Sequence, residues 1–234
     1  MRRVFLVALF SAMVKAEQPY ALRLITSGWD VRSNGLRWNR TTATHEVARR
    51  ADGATWSRYE EVRSGLAGKD ELSRYEQITF PPSTLITIDR NRKTFAVFRA
   101  AQIPATRVRF PQDSHISACA ARRSQEFEYH RFQGTERLAG VAAEKWVIDG
   151  PSATVIYHEE VYLAPALDCF PLKHTRSRTT VWRIADYPVF HFPAARSITE
   201  PVHVRLGEPS SHLFEVPAGF RQVEGNGLIV SPGR

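Results

Sequence analysis

The first candidate for chemistry is the run His158-Glu159-Glu160, because a histidine beside carboxylates often opens a hydrolytic zinc site. A zinc peptidase needs a second histidine at helical spacing, so that both imidazoles share one helix face, and none follows here. The run also lies in an alternating, strand-like segment, where adjacent side chains point to opposite faces. We therefore predict that these residues form polar pairs on the surface.

The other potential ligands and bases are dispersed and form no recognised pair. They include the histidines His45, His115, His130, His174, His191, His203 and His212. No G-x-S-x-G, phosphate-binding or dinucleotide fingerprint occurs, so we predict no catalytic residue, no metal and no cofactor. A hydrolase with carboxylates or histidines on neighbouring strands stays open, because such a site leaves no linear motif.

The N-terminus has the pattern of a secretory signal peptide. Arg2 and Arg3 precede an apolar run, and Val14 and Ala16 supply the small residues of a cleavage site. We predict a leader over residues 1–16 that is cleaved after Ala16, a single β-rich domain over 17–224 and a flexible tail over 225–234. The apolar run is shorter than the ~20 residues of a membrane helix. The sequence thus predicts a periplasmic or extracellular protein that is not integral to the membrane.

The basic residues set expectations about partners. The chain has a formal net charge of +8 at pH 7, with basic runs at Arg49-Arg50, at Arg90 with Arg92-Lys93, at Arg122-Arg123 and from Lys173 to Arg178. Nucleic acid is not expected as a partner of an exported chain. Anionic lipid, phosphate-bearing envelope glycans and plain solvation of turns are the alternatives.

The two cysteines, Cys119 and Cys169, are best read as a pair. An exported protein folds in an oxidising compartment, where disulfides persist. A metal-binding or nucleophilic role would need a ligand cluster or a base nearby, and neither local sequence supplies one. We therefore predict a disulfide.

Short strands separated by turns dominate the rest of the chain. Asp52-Gly53 predicts a hairpin within residues 44–63, because Asp-Gly between extended runs is a strong turn signal. Two more hairpins are predicted, one joining Leu85–Ile88 to Thr94–Phe98 and one joining Glu144–Ile148 to Thr154–Leu163. Further strands are expected at Thr179–Ile184, Val202–Leu206 and Phe214–Val216.

Helical signals are few, and the fold class follows from the strands. Asp70–Ile78 and Ser117–Arg123 are predicted as short helices, and Asp186–Pro193 as a loop with aromatic anchors, because prolines remove strand donors. The sequence predicts an all-β fold, namely a curved antiparallel sheet or half-barrel with one or two short helices.

Apolar residues fall on both faces of the second predicted hairpin. In an alternating strand, Ile86 and Ile88 point to one face and Leu85 points to the other, while Phe95 and Phe98 point to opposite faces. A strand that is wetted on one side does not show this pattern. Either protein covers both faces, or one face lines an apolar cavity, and the sequence leaves these alternatives open.

Residues 134–173 carry a resemblance to exported bacterial proteins. Gly134-Thr135-Glu136 with Gly140 matches a "G-x-E-x-x-x-G" strand, and the run from Tyr162 to Cys169 matches a "W-L-A-P-x-L-x-C" strand end in which Tyr162 replaces tryptophan. The run from Phe214 to Phe220 is similar to a closing "F-x-V-P-x-G-Y". The proteins with these motifs resemble the periplasmic lipoprotein-carrier group. That resemblance implies a curved sheet, sometimes lidded by helices, that can hold an acyl chain, and it also supports the disulfide.

Three functions are therefore expected, in descending order. The first is non-enzymatic binding of a lipid, a lipoprotein segment or another apolar ligand by the sheet. The second is a structural or protein-interaction module that contacts another envelope protein through residues 187–192, and the third is the hydrolase. The side chains predicted to contact an apolar ligand are Ile86, Ile88, Phe95, Phe98, Trp146 and Tyr162.

Overall fold

The fold is one open, curved sheet of twelve strands. The structure is a computed structural model that describes residues 18–31, 38–65, 70–99, 119, 130–151, 154–182 and 189–224. The strands are β1 (Tyr20–Val31), β2 (Trp38–Arg49), β3 (Thr55–Gly65), β4 (Asp70–Phe80), β5 (Thr84–Asp89), β6 (Thr94–Phe98), β7 (His130–Leu138), β8 (Val141–Pro151), β9 (Val155–Ala164), β10 (Phe170–Trp182), β11 (Phe190–Leu206) and β12 (Arg221–Gln222). The predicted all-β, curved antiparallel architecture is confirmed.

The sheet consists of two meanders joined side by side. Its spatial order is β12-β6-β5-β4-β3-β2-β1-β11-β10-β9-β8-β7. Strands β1 to β6 form the N-terminal meander, β7 to β11 form the C-terminal meander, and the antiparallel pair of β1 with β11 is the seam. Only β12 runs parallel to its neighbour, pairing Arg221 with Thr94 of β6.

The predicted hairpins are confirmed, and their turns have clear local causes. Between β2 and β3, Gly53 has a φ of +83°, and the backbone N–H of Ala54 donates to Asp52 Oδ1 at 3.0 Å. Glycine takes this left-handed conformation without a Cβ penalty. Between β5 and β6, the N–H of Arg92 donates to Asp89 Oδ1 at 2.9 Å. The third hairpin joins β8 to β9, and its strands run to Pro151 and from Val155.

Three predicted elements differ in the structure. Asp70–Ile78 is not helical but lies in β4, paired with β3 throughout. Phe214–Val216 is not a strand, because Phe214 ends the 3-10 turn Ser211–Phe214. The prediction of a loop over Asp186–Pro193 is wrong from Phe190 onward, because β11 begins there. The predicted helix Ser117–Arg123 lies outside the described residues except for Cys119, as do residues 1–17 and 225–234.

The prolines of β11 explain why the loop prediction failed. Pro193 and Pro201 each lie beside a shift in register, one against β10 and the other against β1. The ladder skips the next residue, Ala194 or Val202, so regular hydrogen bonding is already interrupted beside each proline. Proline is therefore compatible with this strand at these two positions.

The core has two parts. One cluster contains Tyr20, Leu22, Leu24 and Val47 of β1 and β2 together with Val141, Ala143, Tyr162, Ala164, Leu167 and Leu172. The other contains Ala48, Ala54, Trp56, Ile78, Ile88 and Phe214. Phe214 comes from a segment that we call the C-terminal cover, residues 211–220, whose Leu213 and Phe220 also pack there. Protein thus covers one face of β3 to β6.

The predicted disulfide is confirmed. The Sγ atoms of Cys119 and Cys169 are 2.07 Å apart and the Cα atoms are 5.6 Å apart. Cys169 directly follows a corner that begins with the 3-10 turn Pro165–Leu167, where Asp168 has a positive φ. The crosslink therefore fixes Cys119 to the corner between β9 and β10.

The seam gives a direct test of the fold. A Cβ built on Gly28 would lie 2.7 Å from the carbonyl oxygen of Arg196 and 3.0 Å from Ser197 Cβ. We expect Gly28→Ala to lower the free energy of unfolding by about 1–3 kcal/mol, because backbone must move to relieve such a contact. Urea denaturation measures the change. Gly150→Ala is the matched strand control, since its Cβ would meet Tyr157 at an ordinary 3.6 Å. Equal effects of the two substitutions would contradict the β1–β11 seam.

Candidate functional site

One open structural feature of the sheet is a step between β4 and β5. β4 pairs with β3 from Asp70 onward, whereas its pairing with β5 starts only at Glu76. Within the described residues, no strand pairs with the outer side of Asp70–Tyr75, which we call the β4 edge. Six residues of strand extend over roughly 20 Å. This part of the chain therefore presents unpaired backbone donors and acceptors.

A cavity of about 610 Å³ lies beside this step, which we call the edge cleft. Its volume is within the range of ligand sites, about 300–1,000 Å³. It is lined by Arg58, Tyr59, Leu72, Arg74, Tyr75, Glu76, Gln77, Thr87, Ile88, Asp89, Arg90, Asn91 and Arg92.

Both faces of the sheet contribute to the lining of the edge cleft. Consecutive residues such as Tyr75 and Glu76 line it together, although neighbouring residues of a strand point to opposite faces. A hollow on one face of a sheet would be lined by alternate residues only. The edge cleft therefore lies at the margin of the sheet, next to the β4 edge.

Two stacked tyrosines form an aromatic wall of the edge cleft. Tyr59 and Tyr75 are register partners, with ring centroids 5.0 Å apart and an interplanar angle of 21°. Burial raises the pKa of both phenols, and the Glu61 carboxylate raises them further. The Tyr59 hydroxyl donates to Glu61 Oε2 at 2.7 Å. Both side chains therefore stay neutral at physiological pH and offer an apolar face.

A buried carboxylate fixes the floor of the edge cleft. Glu76 accepts from Trp56 Nε1 at 2.9 Å and from Arg90 Nη2 at 2.8 Å, and Arg90 Nε makes a second contact to its other oxygen. The hydrogen bond to Glu76 raises the pKa of Arg90. A carboxylate held by two hydrogen-bonded partners is a structural anchor and not a free acid or base.

The rim of the edge cleft is basic. Arg58, Arg74, Arg90 and Arg92 contribute four positive charges, against the carboxylates of Glu76 and Asp89. Arg74 binds Glu60 at 2.9 Å, while Arg92 is largely exposed and lies 3.7 Å from Asp89. The exposed side chain of Leu72 adds an apolar contact. Thr87 Oγ1 is buried and forms no hydrogen bond among the described residues.

The six side chains that the sequence predicted as an apolar site lie in three places. Ile86, Ile88 and Phe95 pack in the cluster under Phe214, and Ile88 also lines the edge cleft. Phe98 lies on the opposite face, because it pairs with Leu85 while Ile86 pairs with Val97.

The other two predicted residues lie in the C-terminal meander. Trp146 contacts Phe132, and Tyr162 has Lys145 and Lys173 each 5.6 Å from its ring centroid. The structure thus brings three of the six together, and their contact with a ligand stays a prediction.

Sequence reasoning missed most of the edge cleft. Only Ile88, Arg90 and Arg92 were among the residues it selected. The others could have been found by looking for complementary side chains at opposite positions of two neighbouring strands. If Asp70–Ile78 is a strand, Arg74 pairs opposite Glu60 and Tyr75 opposite Tyr59.

The His158-Glu159-Glu160 run behaves partly as predicted. His158 Nδ1 lies 2.7 Å from Asp149 Oδ1, and Glu160 lies 2.9 Å from Lys145 Nζ. The surface assignment is wrong for Glu159, which is buried and binds His174 and Arg176. Because successive side chains of a strand point to opposite faces, Glu159 lies on the face opposite His158 and Glu160, and its two partners there belong to β10. No group of three or more His, Cys, Asp or Glu in the described chain can hold a metal ion.

The Glu159 cluster predicts a pH dependence of stability. Burial by itself raises the pKa of Glu159, but the hydrogen bonds from His174 and Arg176 outweigh it and hold that pKa below its ordinary value. A carboxyl whose pKa is lower in the folded state stabilises the fold at neutral pH, and this contribution is lost as the pH falls through the folded pKa.

We expect Glu159→Gln to lower the urea concentration at the unfolding midpoint at pH 7. We also expect this midpoint to decrease less in the variant than in the wild type as the pH is lowered from about 6 to about 3. The matched control is Glu200→Gln, because Glu200 is exposed and its ion pair with Lys173 is a surface pair. A pH profile of Glu159→Gln that runs parallel to the wild type would contradict this role.

Comparisons with known proteins find distant structural neighbours only. No family model and no curated protein matches the chain. The solved structures include Pseudomonas aeruginosa MucB in complex with MucA (18% identity, TM-score 0.42, covering 87% of this chain and 57% of that chain) and MucB alone (17% identity, TM-score 0.40, covering 87% and 58%). The chain thus spans less than two thirds of the MucB chains.

A third neighbour belongs to the kind of protein that the sequence resembles. It is described as an outer membrane lipoprotein-sorting protein domain of Vibrio parahaemolyticus, with 8% identity and a TM-score of 0.22, covering 85% of this chain and 90% of that chain. TM-scores this low do not establish a shared function. No helix in the described ranges is long and apolar enough to span a bilayer.

Proposed function

We propose that this chain is an exported, non-catalytic binding protein of the cell envelope that holds an extended segment of a partner protein beside the β4 edge. The observation that carries the proposal is the edge cleft, which combines unpaired backbone with a cavity lined from both faces. A strand that enters it continues the sheet past the end of β5. Strand addition of this kind gives affinity through main-chain hydrogen bonds and specificity through alternate side chains.

The lining favours a particular partner segment. Leu72 and the Tyr59–Tyr75 pair offer apolar contacts. The four arginines of the lining outnumber its two carboxylates, and Arg58 and Arg74 share one further carboxylate, Glu60. An extended segment that alternates apolar and acidic residues satisfies both.

The fold itself supports the choice of edge. At the β6 edge, the protein's own β12 is added in parallel, with the N–H of Arg221 donating to Lys93 O at 3.0 Å and that of Val223 donating to Phe95 O at 2.8 Å. Exposed edges invite unwanted pairing, and proteins usually cover them. In the described residues, β12 covers the β6 edge, while the β4 edge and the outer side of β7 stay open.

The test uses fluorescence anisotropy with a dye-labelled, eight-residue peptide that alternates valine and glutamate. The expected result is saturable binding at least about tenfold tighter than that of the same peptide with lysine for glutamate. A peptide with alternate amides N-methylated keeps the side chains but loses the backbone donors, and we expect it not to bind.

Matched variants locate the binding. Leu72→Glu is expected to weaken binding of the acidic peptide at least about tenfold, whereas Val202→Glu, at a similarly exposed position on β11, leaves it unchanged. Unaltered binding to the Leu72→Glu variant, or equal binding of the N-methylated peptide, would overturn the proposal.

The apolar ligand predicted from the sequence stays a second proposal. It is favoured by the apolar residues on both faces of β5 and β6. On the face of Ile86, Ile88 and Phe95, the C-terminal cover already occupies the contact surface, so a ligand there would have to displace Phe214. Organic extraction of protein purified from its own periplasm, followed by mass spectrometry, tests this, and a reproducibly ligand-free protein counts against it.

A further inference from the structure

The β10–β11 hairpin carries exposed aromatic residues where its strands project beyond their neighbours. The last pair between β1 and β11 is Asp30 with Ala195, so residues 190–194 extend past β1. The last pair between β9 and β10 is Val155 with Thr180. Beyond these points, the described residues of β10 and β11 pair with each other, and one further backbone hydrogen bond joins Val181 N–H to Thr154 O at 2.8 Å. We call Trp182, Val189, Phe190 and Phe192 the aromatic tip.

The rings of the aromatic tip lie on one face and contact each other, yet remain exposed. Trp182 pairs with Phe190 and Thr180 with Phe192, which places the three rings on the same side of the hairpin. The centroids of Trp182 and Phe192 are 5.1 Å apart, and those of Phe190 and Phe192 are 6.2 Å apart. Trp182 is 58% exposed and Phe192 is 45% exposed. A contiguous patch of this kind marks a surface that is covered in the working state of a protein.

The charges on the two strands of the aromatic tip are positive, with Asp30 of β1 opposite Ala195. The described stretches 176–182 and 189–199 contain Arg176, Arg178 and Arg196 and no Asp or Glu. Arg176 binds Glu159, whereas Arg178 and Arg196 form no ion pair with any described residue. Arg178 lies four residues before Trp182 on the same strand face, a distance of roughly 13 Å. Arg178 therefore lies on the face of the rings, whereas Arg196 pairs with Ser177 and lies on the opposite face of the hairpin.

We propose that the aromatic tip docks this protein on an anionic lipid bilayer surface. Tryptophan favours the boundary between acyl chains and head groups, and peripheral anchors insert roughly 5–10 Å. With the rings at that boundary, Arg178 lies at the level of the lipid phosphates, which its long side chain can reach. Phosphate oxygens supply the negative charge that pairs with Arg178.

The bilayer explains the tip better than a protein groove does. A groove needs a concave partner shaped to three rings, while a bilayer accepts any projecting apolar group. Residues 176–199 contain four arginines and one carboxylate, Asp186, so this segment carries a positive net charge that a lipid surface of negative potential attracts. The site is separate from the edge cleft, because β3, β2, β1 and β11 lie between β4 and β10 in the sheet.

Flotation of the full chain with vesicles tests the proposal. Vesicles of equal parts phosphatidylglycerol and phosphatidylethanolamine are compared with vesicles of phosphatidylcholine. We expect at least about tenfold stronger partitioning of the wild type onto the anionic vesicles, with a blue shift of tryptophan emission and weakening by salt.

Three variants assign the binding to the aromatic tip. The triple substitution Trp182→Ser, Phe190→Ser and Phe192→Ser is expected to abolish flotation. The matched triple Ile25→Ser, Val202→Ser and Leu206→Ser also removes exposed apolar side chains, and we expect it to float like the wild type. Arg178→Gln with Arg196→Gln is expected to remove the preference for anionic vesicles. Unchanged circular dichroism of each variant confirms that it folds.

Opposite results would overturn the proposal. They are a wild type that stays in solution with anionic vesicles, or a tip variant that floats as well as the wild type. A tip variant that changes only a concentration-dependent self-association, without lipid binding by the wild type, would assign the tip to a second copy of this chain and equally reject the bilayer.

Discussion

Replacing both Cys119 and Cys169 with serine is expected to lower the free energy of unfolding by about 2–5 kcal/mol relative to the oxidised protein. The crosslink joins residues 50 positions apart, so its removal frees a long loop in the unfolded chain. It also holds Cys119 where its N–H donates to Glu144 Oε2 at 3.3 Å. That carboxylate is buried and also accepts from Trp146 Nε1 at 3.3 Å, so removing the crosslink weakens one hydrogen bond to a buried charge.

Urea denaturation followed by circular dichroism measures this loss. Reduction of the wild type with dithiothreitol should reproduce it, while the double variant should not respond to the reductant. A double variant whose stability lies within about 0.5 kcal/mol of the oxidised wild type would show that the crosslink does not stabilise the C-terminal meander.

Phe214→Ala is expected to lower the free energy of unfolding by about 3–5 kcal/mol, because it removes the central side chain of the C-terminal cover. Phe214 is buried against Trp56, Ile78 and Ile88, and Arg50 lies 5.3 Å from its ring centroid. The cavity left behind would expose the indole of Trp56. We therefore expect a red shift of the tryptophan emission together with the fall in stability.

Leu206→Ala is the control for this substitution. Leu206 ends β11 and is exposed, so its truncation should change the free energy of unfolding by no more than about 0.5 kcal/mol. If Phe214→Ala behaved like Leu206→Ala, the C-terminal cover would not pack on the sheet, and the face of Ile86 and Phe95 would be open to a ligand.

Local chemistry explains which elements the sequence could predict. The hairpins followed from Asp52-Gly53 and from the polar turn that starts at Asp89, since these residues satisfy their own turns. The curved all-β sheet followed from the number of such turns. The disulfide followed from the count of cysteines in a chain that was predicted to be exported.

β4 shows where local reasoning fails. Leu72, Tyr75 and Ile78 recur at intervals of three, a spacing that is typical of an amphipathic helix. In the structure, β3 pairs with all of β4, and Trp56 buries Ile78 while Tyr59 stacks on Tyr75. These contacts are long-range and outweigh the weak helical preference of the segment.

The candidate site was harder to predict because it depends on strand lengths. The edge cleft exists because β5 ends at Asp89 while β4 begins at Asp70, so their pairing stops short of the first half of β4. No local signal reports where a neighbouring strand ends. The sequence correctly placed apolar residues on both faces of β5 and β6. The residue that covers one of these faces, Phe214, lies more than a hundred residues away in the sequence.

Amide hydrogen exchange of residues 70–75, with and without a saturating amount of the valine–glutamate peptide, tests the central claim most directly. Along a strand, successive N–H groups point to opposite sides, and one set already faces β3. Addition of a strand at the β4 edge predicts that every second amide in 70–75 gains at least about tenfold protection, while the amides that face β3 do not change. Peptide binding that protects none of these amides, or that protects both sets equally, would contradict the account.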